Sequence, residues 1–173
     1  MIGHWAFGWP QIIVLLVAVQ RVAELLWARR NTRRLLAAGG HEIGARHYPL
    51  FVLLHGAWLA AIFLLVPALA PIDPWLLAIF GALQLARLWI VVTLGPYWTT
   101  RIIAVPGQKL ITHGPYRFSR HPNYLVVAGE IAVLPLAFGA WMIAAVFSLA
   151  NAALLWHRIT VEEQALAERR AGG

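Results

Sequence analysis

The residues best suited to chemistry lie between His113 and Tyr124, which read His-Gly-Pro-Tyr-Arg-Phe-Ser-Arg-His-Pro-Asn-Tyr in an otherwise aliphatic chain. Pro122 suits the first position of a helix, because its missing N–H would have no partner there. The free N–H groups of Asn123 to Leu125 would then face back toward the loop, and such a helix end attracts anions. Arg117, Arg120 and His121 add positive charge at the same place, forming a seat for a carboxylate or phosphate at the lipid–water boundary. Interfacial anchoring would account for two arginines taken alone. It does not account for the tight Tyr-Arg-x-x-Arg-His-Pro-x-Tyr grouping.

Such a site must be held by membrane-spanning elements. The chain has 173 residues, 61% of them hydrophobic and only 12% charged, and a mean hydropathy of +0.69. A soluble domain is roughly half apolar, so the sequence predicts an integral membrane protein. There is room for four or five spans of about 20 residues with short connections, and hence for one compact unit over 1–173. Zero cysteines exclude disulfides, thiolate metal sites and a Cys nucleophile. The net charge of +7 and pI near 11.1 would point to nucleic acid in a soluble protein. Here the basic residues flank hydrophobic segments, so topology explains them and no nucleic-acid partner is expected.

The fold class expected is all-α, with about five transmembrane helices near 10–28, 50–68, 74–94, 122–138 and 139–157. The first carries Arg21 and Glu24 three apart, where they can pair. A basic loop with Arg29-Arg-Asn-Thr-Arg-Arg34, Gly39-Gly40 and Arg46-His-Tyr-Pro49 follows, with room for a short interfacial helix. Asp73-Pro74 is a helix start, an Asp N-cap followed by Pro, and Gly95-Pro96 stops that helix. From Pro122 to Trp156 the chain is apolar for about 35 residues, too long for one span. With Pro135 and Gly139 near its middle, it suits a helical hairpin. The tail from His157 has the charged, amphipathic pattern of a cytoplasmic helix.

Of the 14 Lys and Arg, only Arg21 and Arg87 fall inside spans; the rest occupy the first loop, the third loop and the tail. The positive-inside rule then puts the N-terminus outside and the C-terminus inside, which five crossings satisfy. At about 1.5 Å per helical residue, Glu24, His55, Arg87, Glu130 and Asn151 each lie about 6–12 Å inside the cytoplasmic edge of their spans. Intramembrane ionisable groups face the bundle interior. These five are therefore candidates for lining a shared acceptor cavity, or for structural pairs in which Arg87 neutralises Glu24 or Glu130.

On the last helix Asn151, Leu154 or Leu155, Arg158 and Glu162 recur on one face, and Arg158 and Glu162 can pair four apart. The adjacent Glu163 cannot share that face. One of these carboxylates could accept hydrogen bonds from a ribose diol or an amine.

Gly114-Pro-Tyr-Arg-x-x-Arg-His-Pro-x-Tyr124, followed after the apolar hairpin by Arg158-x-x-x-Glu-Glu-x-x-Leu166, resembles the isoprenylcysteine carboxyl methyltransferase family and its phospholipid methyltransferase relatives. The N-terminal half, with Arg21-x-x-Glu24, Arg29-x-Asn31, His47-Tyr-Pro49 and His55-x-x-Trp58, is similar to the small bacterial branch. Some members there are associated with O-methylation of alkylpyrones or alkylresorcinols. The resemblance implies a multispan enzyme of the bacterial inner membrane using S-adenosylmethionine, with S-adenosylhomocysteine as product and a lipid-like acceptor arriving from the bilayer. By motif position the cofactor segments are 113–124 and 157–166, with Gly114, Tyr116, His121, Pro122, Tyr124, Arg158, Glu162 and Glu163 lining the pocket. Val126 stands where many relatives carry Gly, so close backbone approach is not expected there.

Methyl transfer from a sulfonium requires in-line alignment and exclusion of water, and no metal. A carboxylate acceptor needs only a cation to orient it, for which Arg117, Arg120 and Arg87 are candidates. A phenolic or enolic hydroxyl needs a base, for which His121, His55 and Glu130 are candidates. Tyr116 or Tyr124 could seat the sulfonium by cation–π contact. Amine N-methylation of a phospholipid, an NADPH-dependent membrane reductase and a non-catalytic membrane subunit are the alternatives.

Overall fold

The computed structural model of the chain describes residues 7–44, 48–108 and 111–171, the last ten of these as backbone only. Five α-helices dominate: α1 (Trp9–Ala37), α2 (Tyr48–Leu65), α3 (Pro74–Leu94), α4 (Pro122–Ala137) and α5 (Trp141–Ala171). Two three-residue strands, β1 (His41–Ile43) and β2 (Ile102–Ala104), pair antiparallel with His41 opposite Ala104. Four stretches are long and apolar enough to cross a membrane: Trp9–Ala37, Tyr48–Leu65, Pro74–Tyr97 and Trp141–Val161; Pro122–Ala137 is a shorter apolar helix. Leu16, Val19, Leu53, Leu85 and Leu149 are exposed, as an all-α membrane protein requires of its lipid-facing side.

Local sequence explains the helix ends. Asp73 Oδ1 accepts from the N–H groups of Trp75 (2.9 Å) and Leu76 (3.1 Å), the expected cap. Gln11 Nε2 donates to the carbonyls of Val66 (2.8 Å) and Phe63 (3.4 Å), satisfying the last turn of α2. The expected basic loop after residue 28 is instead a continuation of α1 to Ala37. Arginine is a good helix former, and no breaker occurs before Gly39-Gly40. Asn31 Nδ2 fastens this extension by donating to the carbonyls of Trp98 (2.9 Å) and Gly95 (3.1 Å). Arg29, Arg30, Arg33 and Arg34 are left exposed on the other sides. The tail is helical as expected, continuing α5 without a break from Trp141 to Ala171.

α3 packs along α4, α4 along α5, α5 along α2, and α2 along α1. Val14, Val17, Trp58, Ile62, Phe80, Ile131 and Leu134 form one apolar cluster; Ala28, Ile90, Trp98 and Val126 form a second. Between them lies a layer of charge. Arg87 clamps Glu130 through Nε (2.9 Å to Oε1) and through Nη2 to Oε2. Its Nη1 donates to Glu24 Oε2 at 3.3 Å. Arg21 donates to Glu24 Oε2 at 2.8 Å, and its Nη2 lies 2.9 Å from Glu130 Oε1 without hydrogen-bond alignment. Gln84 donates to Glu130 (2.8 Å) and Gln20 to Glu24 (2.9 Å). The four ionised groups sum to zero, and together they tie α1, α3 and α4.

Removing one partner of such a cluster strands a buried charge. Glu130→Ala should destabilise the protein in detergent by about 3–5 kcal/mol in equilibrium unfolding, whereas the paired replacement Arg87→Met with Glu130→Leu should cost markedly less. Equal losses in the two proteins would show that the pair, and not the stranded charge, carries the stability.

Candidate functional site

The segment 114–137 runs antiparallel along α3. Asp73 N–H donates to Ala137 O (2.8 Å), Gly129 lies against Leu83, Phe118 meets the Trp89 ring edge-on at 6.4 Å, and Gly114 abuts Thr93. This pairing places His121 level with the region of Arg87, about 10 Å short of the end of α3 at 1.5 Å per residue. The motif loop is thus sunk beside a spanning helix. Gly129 allows the approach, since a Cβ there would sit 3.0 Å from a Leu83 methyl.

A 3-10 turn, Gly114–Arg117, starts the loop. Gly114 has φ +61, and a Cβ would fall 2.8 Å from Thr93 Oγ1. Both facts demand glycine. Pro115 is buried and Tyr116 packs against the Ala28–Ile90–Trp98–Val126 cluster. Pro122 opens α4 with His121 at the N-cap, whose side chain makes no capping hydrogen bond. Tyr124 N–H donates to His121 O at 3.1 Å, and the other N–H groups of this turn face the loop. The His121 and Tyr124 rings stack, 5.2 Å between centroids and 9° between planes.

The two distant motifs meet at Tyr124. Arg158 Nε donates to Tyr124 Oη at 2.8 Å, and Nη2 donates to the Thr100 carbonyl at 2.9 Å. The inward face of α5 carries Ala144, Asn151, Leu155 and Arg158, so Leu155 rather than Leu154 joins the stripe. Glu162 and Glu163 continue that helix, but their side chains, and with them the Arg158–Glu162 pair, lie outside the described residues.

The isoprenylcysteine carboxyl methyltransferase (ICMT) family model matches residues 76–168, which span α3, both motifs and most of α5. The chain belongs to the isoprenylcysteine carboxyl methyltransferase family. It is therefore a membrane methyltransferase, and S-adenosylmethionine is the methyl donor that membership implies. The chain is also similar to the Bacillus subtilis (strain 168) protein named "Uncharacterized protein YpbQ", at 37% identity over 161 residues, 91% of this chain and 96% of that one. No solved structure matches.

Of the residues singled out in the sequence, His121, Pro122, Tyr124 and Arg158 lie together, while Gly114 sits against Thr93 and Tyr116 against the second apolar cluster. Glu24, Arg87 and Glu130 form the charge layer. Both oxygens of Glu130 are engaged by Arg87, with Gln84 also on one of them, which gives this residue scaffold work. His55 stands within electrostatic range of Arg21, Arg87 and Glu130, but its Nδ1 pairs with Phe51 O at 2.8 Å. Asn151 is buried, and its Oδ1 has no partner among the described residues. Arg117 and Arg120 are exposed, Arg117 resting over the Phe118 ring at 4.4 Å. Val126 faces the protein interior with Ala28, Ile90 and Trp98, which is why a bulky residue fits there.

Asn123 was not foreseen. Its Oδ1 is buried beside the α4 N-terminus with no hydrogen-bond partner among the described residues. A buried acceptor left open at a helix N-terminus suits a ligand that carries both an anion and hydroxyl or amine donors. An amino-acid nucleoside such as S-adenosylmethionine is such a ligand, so the residues present fit the donor implied by the family.

Gly114→Ala tests whether this cradle is as tight as it looks. It should cost about 1–3 kcal/mol through the left-handed backbone and the Thr93 contact. Thermal unfolding should show the loss, and Thr93→Ala should return only part of it, because the backbone strain remains.

Proposed function

We propose that this protein transfers a methyl group from S-adenosylmethionine to an oxygen of a lipophilic acceptor, either a carboxylate or a phenolic or enolic hydroxyl. The observation that carries the proposal is the Arg158–Tyr124 hydrogen bond. It brings the Arg-His-Pro loop and the last helix together at a level inside the span of α3, where a water-soluble donor and a membrane-borne acceptor can both reach. The sequence's positive charges favour a cytoplasmic location for this end, with the N-terminus outside, in the inner (plasma) membrane of a bacterium. The whole chain, 1–173, is taken as one membrane domain.

In this reading the first turn of α4 and Asn123 receive the polar end of the donor. Gly114, Tyr116, His121, Pro122 and Tyr124 form one wall, and Glu162 and Glu163, on the helix that Arg158 ties to Tyr124, close the other. The bound sulfonium supplies an activated methyl group, so the chain's own task is alignment and exclusion of water. The stacked His121 and Tyr124 rings offer a π surface beside a cation. His121 is the candidate base for a hydroxyl acceptor, placed at the loop's deepest point. Arg117 and Arg120, exposed at the loop's outer edge, are candidates to orient a carboxylate. Glu24, His55, Arg87 and Asn151, the polar layer among the helices near the level of His121, are candidates to line the acceptor cavity. No metal is needed for any of these steps.

Membranes containing the protein, incubated with isotopically labelled S-adenosylmethionine, should yield a labelled lipid identifiable by mass spectrometry. A base-labile ester would mark carboxyl transfer and a base-stable ether hydroxyl transfer; a methylated amine would move the assignment to phospholipid N-methylation. Asn123→Ala and His121→Ala should weaken S-adenosylhomocysteine binding about tenfold or more, the scale of one or two buried hydrogen bonds, with little change in thermal stability. Undiminished affinity in both variants would place the donor elsewhere.

A further inference from the structure

The Arg158 guanidinium is the meeting point of four segments. Besides its hydrogen bonds to Tyr124 on α4 and to the Thr100 carbonyl before β2, it lies 5.2 Å from the ring centre of Phe51 on α2 and 5.6 Å from that of Tyr124. Arg158 is only 8% exposed. The network continues outward: Thr100 Oγ1 contacts Tyr48 Oη at 3.3 Å, and Arg101 sits 4.5 Å over the Tyr48 ring and pairs with Glu42 of β1 at 2.7 Å. The small sheet and the start of α2 are thereby wired to Tyr124.

We propose that Arg158 is a positioning residue, which orders the donor site by fixing the Tyr124 ring against His121 instead of touching the donor itself. The proposal rests on the methyl-donor reading above. Its physical basis is the direction of the guanidinium: Nε and Nη2 are both committed to protein acceptors, and the buried group lies beside the rings of Phe51 and Tyr124. Tyr124 is in turn held at its hydroxyl by Arg158 and on its ring face by His121. A lysine would bring charge but cannot hold two divergent acceptors in one plane.

The two modes of action differ in a double-mutant cycle read by calorimetric binding of S-adenosylhomocysteine to the detergent-purified full chain. Acting through Tyr124, Arg158→Ala and Tyr124→Phe should each weaken binding about tenfold, and the double variant no more than about either alone. Arg158→Lys should recover little. Losses that multiply to about a hundredfold in the double variant would mean that Arg158 holds the donor directly and would overturn the proposal. If the unmodified protein bound no S-adenosylhomocysteine, the donor reading itself would fail. The positioning role would then be judged on the ligand-free protein by hydrogen exchange. Amides of 98–104 and 121–126 should exchange faster in Arg158→Ala and in Arg158→Lys, and unchanged exchange in both would overturn it.

Discussion

The grip of Arg87 on Glu130, shared with Arg21 and Glu24, is the constraint on which the rest of the structure depends. Lipid-embedded helices gain little from burying apolar surface against one another, because lipid tails are as apolar as leucine. Charge in the bilayer core is different, since a carboxylate there has no acceptable state outside a hydrogen-bonded cluster. The pair on α3 and α4 therefore selects one register between them. Once Arg87 meets Glu130, Leu83 must lie against Gly129 and Thr93 against Gly114. The motif loop is set at its depth by an ion pair two helical turns away from it.

That register also explains the division of labour among the charged residues. The four interior charges are paired with one another and sum to zero, so they hold the helices together. Exposed arginines crowd the end of the bundle where the loop lies, and between these two zones sits the short stretch from His121 to Tyr124. There, the open Oδ1 of Asn123 lies beside the start of α4 and the stacked rings of His121 and Tyr124.

The apolar helices, the Asp73 cap and the ion pairs were legible in the sequence because each follows from a cost that no tertiary context removes: exposed backbone in lipid, free N–H groups at a helix start, isolated charge in hydrocarbon. The match of Arg158 to the motif loop was legible through the family resemblance. Other features were not. Six residues from Arg29 to Arg34, four of them charged, look like a loop if polarity is weighed, yet arginine favours helix and the break comes only at Gly39-Gly40. The β1–β2 pair joins residues some sixty positions apart through three-residue strands, too short for alternation to show. Asn123 was passed over because it occupies an unspecified place between proline and tyrosine in the motif, and only burial reveals its open acceptor.

The exposed guanidiniums at the end of α1 have a consequence for how the molecule floats. Asn31, in their midst, is bonded to the turn that ends α3, so the arginine collar and the foot of α3 are at one height. Long cationic side chains seek lipid phosphates. The collar therefore fixes the draught of the whole bundle against a single leaflet, and the vertical distance from those phosphates to His121 becomes a property of the protein, indifferent to how thick the opposite leaflet is.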